Sequence, residues 1–442
     1  MPAAAAARYA DEAGADAAAP ADLWARLRQG FAMPPLPPAL TDPHLQRLLR
    51  SGQLQASAAR IRLYMPLIAE ETAARGLPLE LALVPVIESA LRPEARSPVG
   101  AFSTWQFMPA TARHHELRIS SLVDDRQNLR LATRAALDYL QRLHAQFGDW
   151  HLALASYNWG EGRVARLRQR MGGEAGFVEM AAHMPAETRQ YVPAILGLAR
   201  LIAEASAYPG VLPPAPAQHD LVEVALRHDL DFRLALDFSG LTPAQWRALN
   251  PATRAPLLLA SATPALWMPT AAAERFTQRM ADHAGPRSSW RVLQLHTTQP
   301  LNSVAAQHGT TVAALREVND IPRGSKPTAG SSLLVPAQGV AVEPTSAQRV
   351  ADATLTLVPD TVAVRVAVQT RERVADVAGR LGVPAADLAR WNQLPGPRAR
   401  VGRNGSLTAW VLRDDATRAQ AAITRGPQPP KHPSKPSRPK KQ

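Results

Sequence analysis

Residues 81–91 read LALVPVIESAL. Glu88 is the one charged residue in this run, and all its neighbours except Ser89 are apolar. A carboxylate in such surroundings is costly unless it is paired or kept protonated. Burial disfavours the charged form and raises the pKa, which makes a carboxyl a usable general acid near neutral pH. Pro85 stands three residues earlier and is expected to kink or end a helix. A helix broken beside a carboxylate can aim it into a cleft. An arginine nearby, Arg92 or Arg96, is the ordinary alternative partner for such a residue.

Outward from this run the pattern is helical. Between residues 122 and 147, Leu129, Ala132, Ala136, Leu140 and Leu143 recur at three- and four-residue steps with Arg, Asp and Gln between them. Strand-like alternation is scarce from Asp42 to Pro209, so residues 22–207 are expected to form one all-α domain. Residues 1–21 read as an Ala-rich disordered leader. Residues 208–220, YPGVLPPAPAQHD, read as a Pro-rich linker.

Beyond the linker a repeat appears. SGLTPAQWRALNP (239–251), HGTTVAALREVND (308–320) and LGVPAADLARWNQ (381–393) share one frame. Each opens on Gly240, Gly309 or Gly382. A large apolar residue follows six positions on (Trp246, Leu315, Leu388) and another at nine (Leu249, Val318, Trp391). Asn comes at ten: Asn250, Asn319, Asn392. With flanking strand patterns the unit reads β-α-α-β, placed at 221–283, 290–337 and 361–412. Three small copies look like binding modules on a string. Residues 425–442 hold six basic residues, six prolines and no acid, and are expected to be solvated and disordered.

Composition narrows the function. The 442 residues carry a net charge of +13, so a polyanionic partner fits, whether nucleic acid, an anionic membrane surface or a cell-wall polymer. No basic-aromatic module supports nucleic acid. The absence of cysteine excludes disulfides, iron–sulfur clusters and thiol nucleophiles. His114, His115 and His296 lack ligand spacing, so no metal site is expected. As written, the N-terminus has no basic-then-apolar export pattern and no lipidation cysteine.

Glycosidic cleavage normally takes two carboxyl groups. Glu88 serves as the acid, but a second is hard to find. Glu161 lies in a Gly-flanked turn, and Asp124 and Asp125 read as helix caps. One carboxyl working alone must act as acid and then as base on one face, with an internal sugar hydroxyl replacing water. Trp105 is expected in the core.

The ordered segments IESAL (87–91), SPVGAFSTWQFMPATAR (97–113), ASYNWGEGRV (155–164) and ETRQYVPAIL (187–196) resemble the motifs of lytic murein transglycosylases, in the goose-type lysozyme-like glycoside hydrolase family 23. The DLWARLRQGFAMP segment (22–34) and the trailing repeats, which resemble LysM modules with the first degenerate, extend the resemblance to about Val411. It implies a lysozyme-like all-α domain followed by small α+β LysM-like repeats. Glu88 would be the sole acid/base, with Ser89, Gln106, Tyr157, Asn158 and Tyr191 lining the cleft. The substrate would be peptidoglycan, cut between N-acetylmuramic acid and N-acetylglucosamine with a 1,6-anhydro product. No cofactor is implied. A monomer in the periplasm or cell envelope is expected, with the basic tail available to an outer-membrane or wall surface. The family usually has Gly and a hydrophobe before Trp-Gln, where this chain has Ser103-Thr104. A serine there could narrow a subsite or add a hydroxyl contact. A catalytically weak wall-binding protein is the alternative reading.

Overall fold

A computed structural model describes residues 22–338, 344–368, 371–401, 405–416 and 419. The leader 1–21 and the basic tail lie outside the described residues. The chain divides into two units. The first runs to Ser288 and takes back the segment that ends at Ala353; the second holds the remainder.

The first unit is built on helices from Leu23 to Ala203. The helix Leu129–Phe147 buries Ala132, Ala136, Leu140 and Leu143, as its spacing predicts, and it starts on an Asn128 side-chain cap. It packs beside Trp150–Trp159, which opens on an Asp149 cap. The helix Ala186–Ala203 crosses behind both Pro38–Ser51 and Trp150–Trp159 and buries most of its length. Together these helices close one core that includes Trp105, at 0% exposure, whose indole donates to Thr133 Oγ1 at 2.9 Å.

Pro85 does the opposite of what its position in the sequence suggests. It sits in the first turn of a short helix, Val84–Ser89, entered directly from a 3-10 turn over Leu79–Leu83. A proline there gives up an N–H that the first turn would leave unpaired anyway. The helix ends because Ala90 turns left-handed, at φ 52°, and the Arg60 guanidinium caps the Ala90 carbonyl at 2.8 Å. Glu88 therefore lies in the last turn.

The Pro-rich residues 208–220 are tied down along the first helix, Leu23–Gln29. Trp24 Nε1 donates to Pro213 O at 2.7 Å, Leu23 N to Ala215 O at 3.0 Å and Arg26 to Ala217 O at 2.8 Å. The first repeat then continues in the same unit. Arg130 reaches Glu223 at 2.7 Å and lies over the Trp267 ring, and the Tyr64 hydroxyl donates to Ala248 O at 2.7 Å. A bead on a string does not describe this repeat, because arginines and a tyrosine of the helical part fix it in place.

The three repeats share one physical device. Each Asn at position ten grips the strand that closes its unit. Asn250 donates to Trp267 O and accepts from Trp267 N, at 2.8 and 2.7 Å. Asn319 does the same with Leu334, at 3.0 and 2.7 Å. Asn392 does so with Thr408, at 2.8 Å for both bonds. The strands pair antiparallel in each case: Leu221–Ala225 with Ala265–Pro269, Trp290–Gln294 with Ser332–Pro336, and Thr361–Ala367 with Ser406–Leu412. Trp246, Leu315 and Leu388 are fully buried between helices and strands. The degenerate first copy thus keeps the same clasp as the other two.

No helix among the described residues is long and apolar enough to cross a membrane. The clasp gives a direct expectation. Asn319→Ala leaves the Leu334 N–H without its partner in a buried strand, a loss of about 2 kcal/mol. In chemical denaturation of the full chain, the transition of the second unit should move to lower denaturant, while the helical unit keeps its midpoint.

Candidate active site

The site forms where three elements converge. The short helix Val84–Ser89 supplies Glu88, the helix Trp150–Trp159 supplies Tyr157 and Asn158, and the helix Ala186–Ala203 supplies Tyr191. The loop 92–108, which carries Gln106, is tied to the Glu88 helix by the Ser89 hydroxyl on Thr104 O.

Glu88 keeps some solvent contact at the cleft but is surrounded by protein on its other sides. The Tyr191 hydroxyl donates to Glu88 Oε1 at 2.6 Å. Neither Arg92 nor Arg96 pairs with it. Arg92 Nε donates to Ser89 O at 3.1 Å, and Arg96 lies over the Phe102 ring. Burial pushes the Glu88 carboxyl up to about 7, and the negative charge of Glu187 adds to this; the Tyr191 hydrogen bond pulls the other way. Burial raises the Tyr191 and Tyr157 phenols well above their ordinary value, with the Glu88 charge acting in the same direction. Both therefore stay protonated and remain hydrogen-bond donors.

The other carboxylates considered from the sequence are committed elsewhere. Glu161 opens the helix Glu161–Arg170 and pairs with Arg142 at 2.8 Å. Asp124 caps the 3-10 turn that follows it and pairs with Arg126 at 2.7 Å. Asp125 is buried and accepts from the Arg118 guanidinium at 2.7 and 3.1 Å, so it is an ion-pair partner rather than a cap. Glu187, exposed in the first turn of its helix, lies near enough to Glu88 to act on its charge. No local pattern marks Glu187 in the sequence, although it stands four residues before Tyr191 in the segment 187–196.

The remaining site residues fall into two groups. The Tyr157 hydroxyl donates to Trp105 O at 2.9 Å, which ties its helix to the loop. Asn158 Oδ1 accepts from Thr188 Oγ1 at 2.7 Å. Thr188 is buried and has no sequence pattern that marks it. Gln106 spends both amide hydrogens on main-chain carbonyls, Ser103 O at 2.6 Å and Ala95 O at 3.1 Å. Its Oε1 has no hydrogen-bond partner among the described residues. Ser89 differs from these. It is buried, its hydroxyl lies 2.9 Å from Thr104 O, and it joins the Glu88 helix to the loop from inside.

The helix end and the loop after it store strain. Ala90, Leu91, Ser103 and Gln106 all have positive φ, four of nine such non-glycine residues described. Each such residue costs on the order of 1 kcal/mol. Ser103, at φ 70°, occupies a conformation that favours glycine, which accounts for the usual glycine there. Its side chain is wholly buried and its hydroxyl is 3.4 Å from the Thr104 hydroxyl. The serine adds strain to the loop, and its side chain is covered by protein.

This arrangement, a protonatable carboxyl on a helix end held by a phenol in an all-α core, is that of a lysozyme-like glycan-cleaving fold. The "Transglycosylase SLT domain" family model matches residues 65–177, and the "LysM domain" model matches 301–336, which cover the helices and closing strand of the second repeat. Membrane-bound lytic murein transglycosylase D of Escherichia coli (strain K12) is 30% identical over 402 residues, spanning 87% of this chain and 85% of that protein. The soluble lytic murein transglycosylase of the same strain is 33% identical over 147 residues, 30% of this chain and 22% of the relative. Among solved structures, the 70 kDa soluble lytic transglycosylase of Escherichia coli aligns at 28% identity over 33% of this chain and 25% of its own, with a TM-score of 0.28. The chain belongs to the lytic murein transglycosylase family.

The Tyr191 hydrogen bond favours the charged form of Glu88, so Tyr191→Phe should raise the Glu88 pKa. The alkaline limb of kcat/KM, expected near pH 7 for a step that needs the protonated acid, should move to higher pH in this variant. A pH–rate series on both proteins checks the direction of the shift.

Proposed function

We propose that the chain is a peptidoglycan lytic transglycosylase in which Glu88 acts twice. Protonated Glu88 gives its proton to the oxygen joining N-acetylmuramic acid to N-acetylglucosamine, and that bond breaks. The resulting carboxylate takes the proton from the muramyl 6-hydroxyl, whose oxygen closes on the anomeric carbon. The product is a 1,6-anhydro end, water is not consumed, and Glu88 returns to its starting form. The reaction needs no cofactor or metal, since the proton and the nucleophile come from Glu88 and the sugar.

The observation that carries this reading is the partner of Glu88. Other buried acids described here are held by arginine, lysine or main-chain N–H, and Glu88 is held by a neutral phenol. An acid paired with a cation is locked in its charged form; one beside a phenol is free to carry a proton at neutral pH. Gln106 Oε1, Asn158 and Tyr157 supply the polar groups that orient the sugars. The second and third repeats hold the same glycan, which fits a protein of the cell envelope. It works as a monomer, and the basic residues of 425–442 give it electrostatic hold on an anionic wall or membrane surface. The weak-scaffold reading rests on dominant LysM-like modules and on Ser103-Thr104 blunting the site; the burial of the Ser103 side chain speaks against the second ground.

Purified protein incubated with sacculi should release muropeptides with anhydro ends by mass spectrometry. Glu88→Gln should lower the rate by roughly a thousandfold. Reducing ends would point to a hydrolase using water. Sedimentation with sacculi and no release would restore the scaffold reading.

A further inference from the structure

We propose that the first repeat is a brace that positions the substrate loop 100–107, with Arg118 as its central positioning residue. The proposal rests on the function above and assigns this repeat a task other than holding glycan. Arg118 stands where two parts of the first unit meet. Its guanidinium donates to both oxygens of buried Asp125, at 2.7 and 3.1 Å. The same group donates across to Ser261 O at 2.7 Å and Ala262 O at 2.6 Å, in the loop before the closing strand of the first repeat. Charge-assisted bonds of this length are among the strong ones, and the planar fork fixes direction as well as distance.

The far side of this contact reaches the site. Arg126, next to Asp125, is buried and bidentate to Asp124. It donates to Phe107 O at 3.2 Å and Gly100 O at 3.3 Å and lies over the Phe102 ring. Those carbonyls bracket Ser103 and Gln106, the strained part of the loop. Thr104 O in turn meets the Ser89 hydroxyl, and Trp105 O receives the Tyr157 hydroxyl. Hydrogen bonds joined through the short backbone segments 124–126 and 104–107 thus link the first repeat to the residues around Glu88. A loop held against its own backbone strain needs such support.

The repeat has also given one end of its fold to this chain. Asp229, 4% exposed, accepts from Ala260 N at 2.9 Å and from both the N–H and hydroxyl of Thr345 at 2.9 Å. Ser261 Oγ donates to Thr345 O at 2.6 Å. The returning segment also docks on residues 120 and 121, where Ser120 Oγ donates to Val350 O and Ser121 N to Ala353 O. The loops of the first repeat that face Arg118 are therefore filled by residues 345–353 and by the helical part.

Two variants of the full chain test the brace. Arg118→Lys keeps a charge for Asp125 and removes the fork to Ser261 and Ala262. The pair Tyr64→Phe with Glu223→Gln loosens the repeat and leaves residues 118–126 intact. Hydrogen exchange of peptides covering 100–107 should rise about tenfold in both, with the helix Leu129–Phe147 unchanged. On a short soluble muropeptide, kcat should fall about tenfold with KM within about twofold, because misplacement affects the reacting geometry rather than the hold on substrate. Unchanged exchange in 100–107 in both variants overturns the proposal, whatever the activity. Loss of sacculus binding with kcat on the short glycan intact also overturns it and makes the repeat a ligand-holding module. The exchange readout does not depend on catalysis, so failure of the transglycosylase reading would show separately, as wild-type protein that releases no anhydro product.

Discussion

An acid with no cation beside it among the described residues is the constraint on which the rest of the site depends. Glu71 shows the opposite arrangement on the same scaffold. It is buried too, and burial alone would raise its pKa, but Arg134, Arg75 and Arg130 hold it down to about 2. Glu80 accepts from two main-chain N–H groups, at 3.1 and 2.9 Å. With 45 arginines in the chain, a partner for Glu88 would be easy to place. The fold instead turns Arg92 to a carbonyl and Arg96 to a phenylalanine ring. The pKa of Glu88 near 7 comes first from burial, with Glu187 adding to it and no cation among the described residues to offset it. The raised pKa has a cost in stability. Between the ordinary carboxylate range and about pH 7 the folded state holds a proton that the unfolded chain has lost, so the Glu88 contribution weakens as pH rises through this window.

The second constraint is geometric. A helix of only six residues carries the acid, and the loop after it runs through four left-handed residues before Phe107. Short elements do not hold such conformations alone. Arg60 caps the helix end, Ser89 pins the helix to Thr104, and Arg126 gathers the loop carbonyls. The positions of Gln106 and Glu88 are thus set by hydrogen bonds outside the Glu88–Tyr191 pair.

Much of this was legible in the sequence, and the parts that were not share a reason. Glu88 stands out because one charge in an apolar run breaks a local pattern. Asn250, Asn319 and Asn392 stand out because a bond made three times leaves a period, even in the copy whose other residues have drifted. Arg118, Thr188 and Arg126 left no such trace. Their partners are carbonyls or a single side chain, and carbonyls have no sequence. In the case of Arg118 those partners lie more than 140 residues away. Pro85 is ambiguous in the sequence because proline ends one helix and begins another equally well, and only the preceding 3-10 turn decides which. Ser103 was legible as a departure but not as strain, since φ is a property of the turn it completes.

The repeats show how one fold serves different ends under one clasp. In the first copy, Arg118, Arg130 and Tyr64 of the helical part hold the module, and Thr345 fills its loop. At the centre stands a Glu88 that carries a proton in a large fraction of molecules at neutral pH, because burial raises its pKa and no cation among the described residues offsets that. Carbon-13 NMR of glutamate-labelled protein, with the Glu88→Gln spectrum for assignment, measures this directly. The account predicts a carboxyl carbon that titrates with a midpoint near 7. A midpoint in the ordinary range near 4.5 would contradict it, because Glu88 would then be charged at neutral pH and unable to give the first proton.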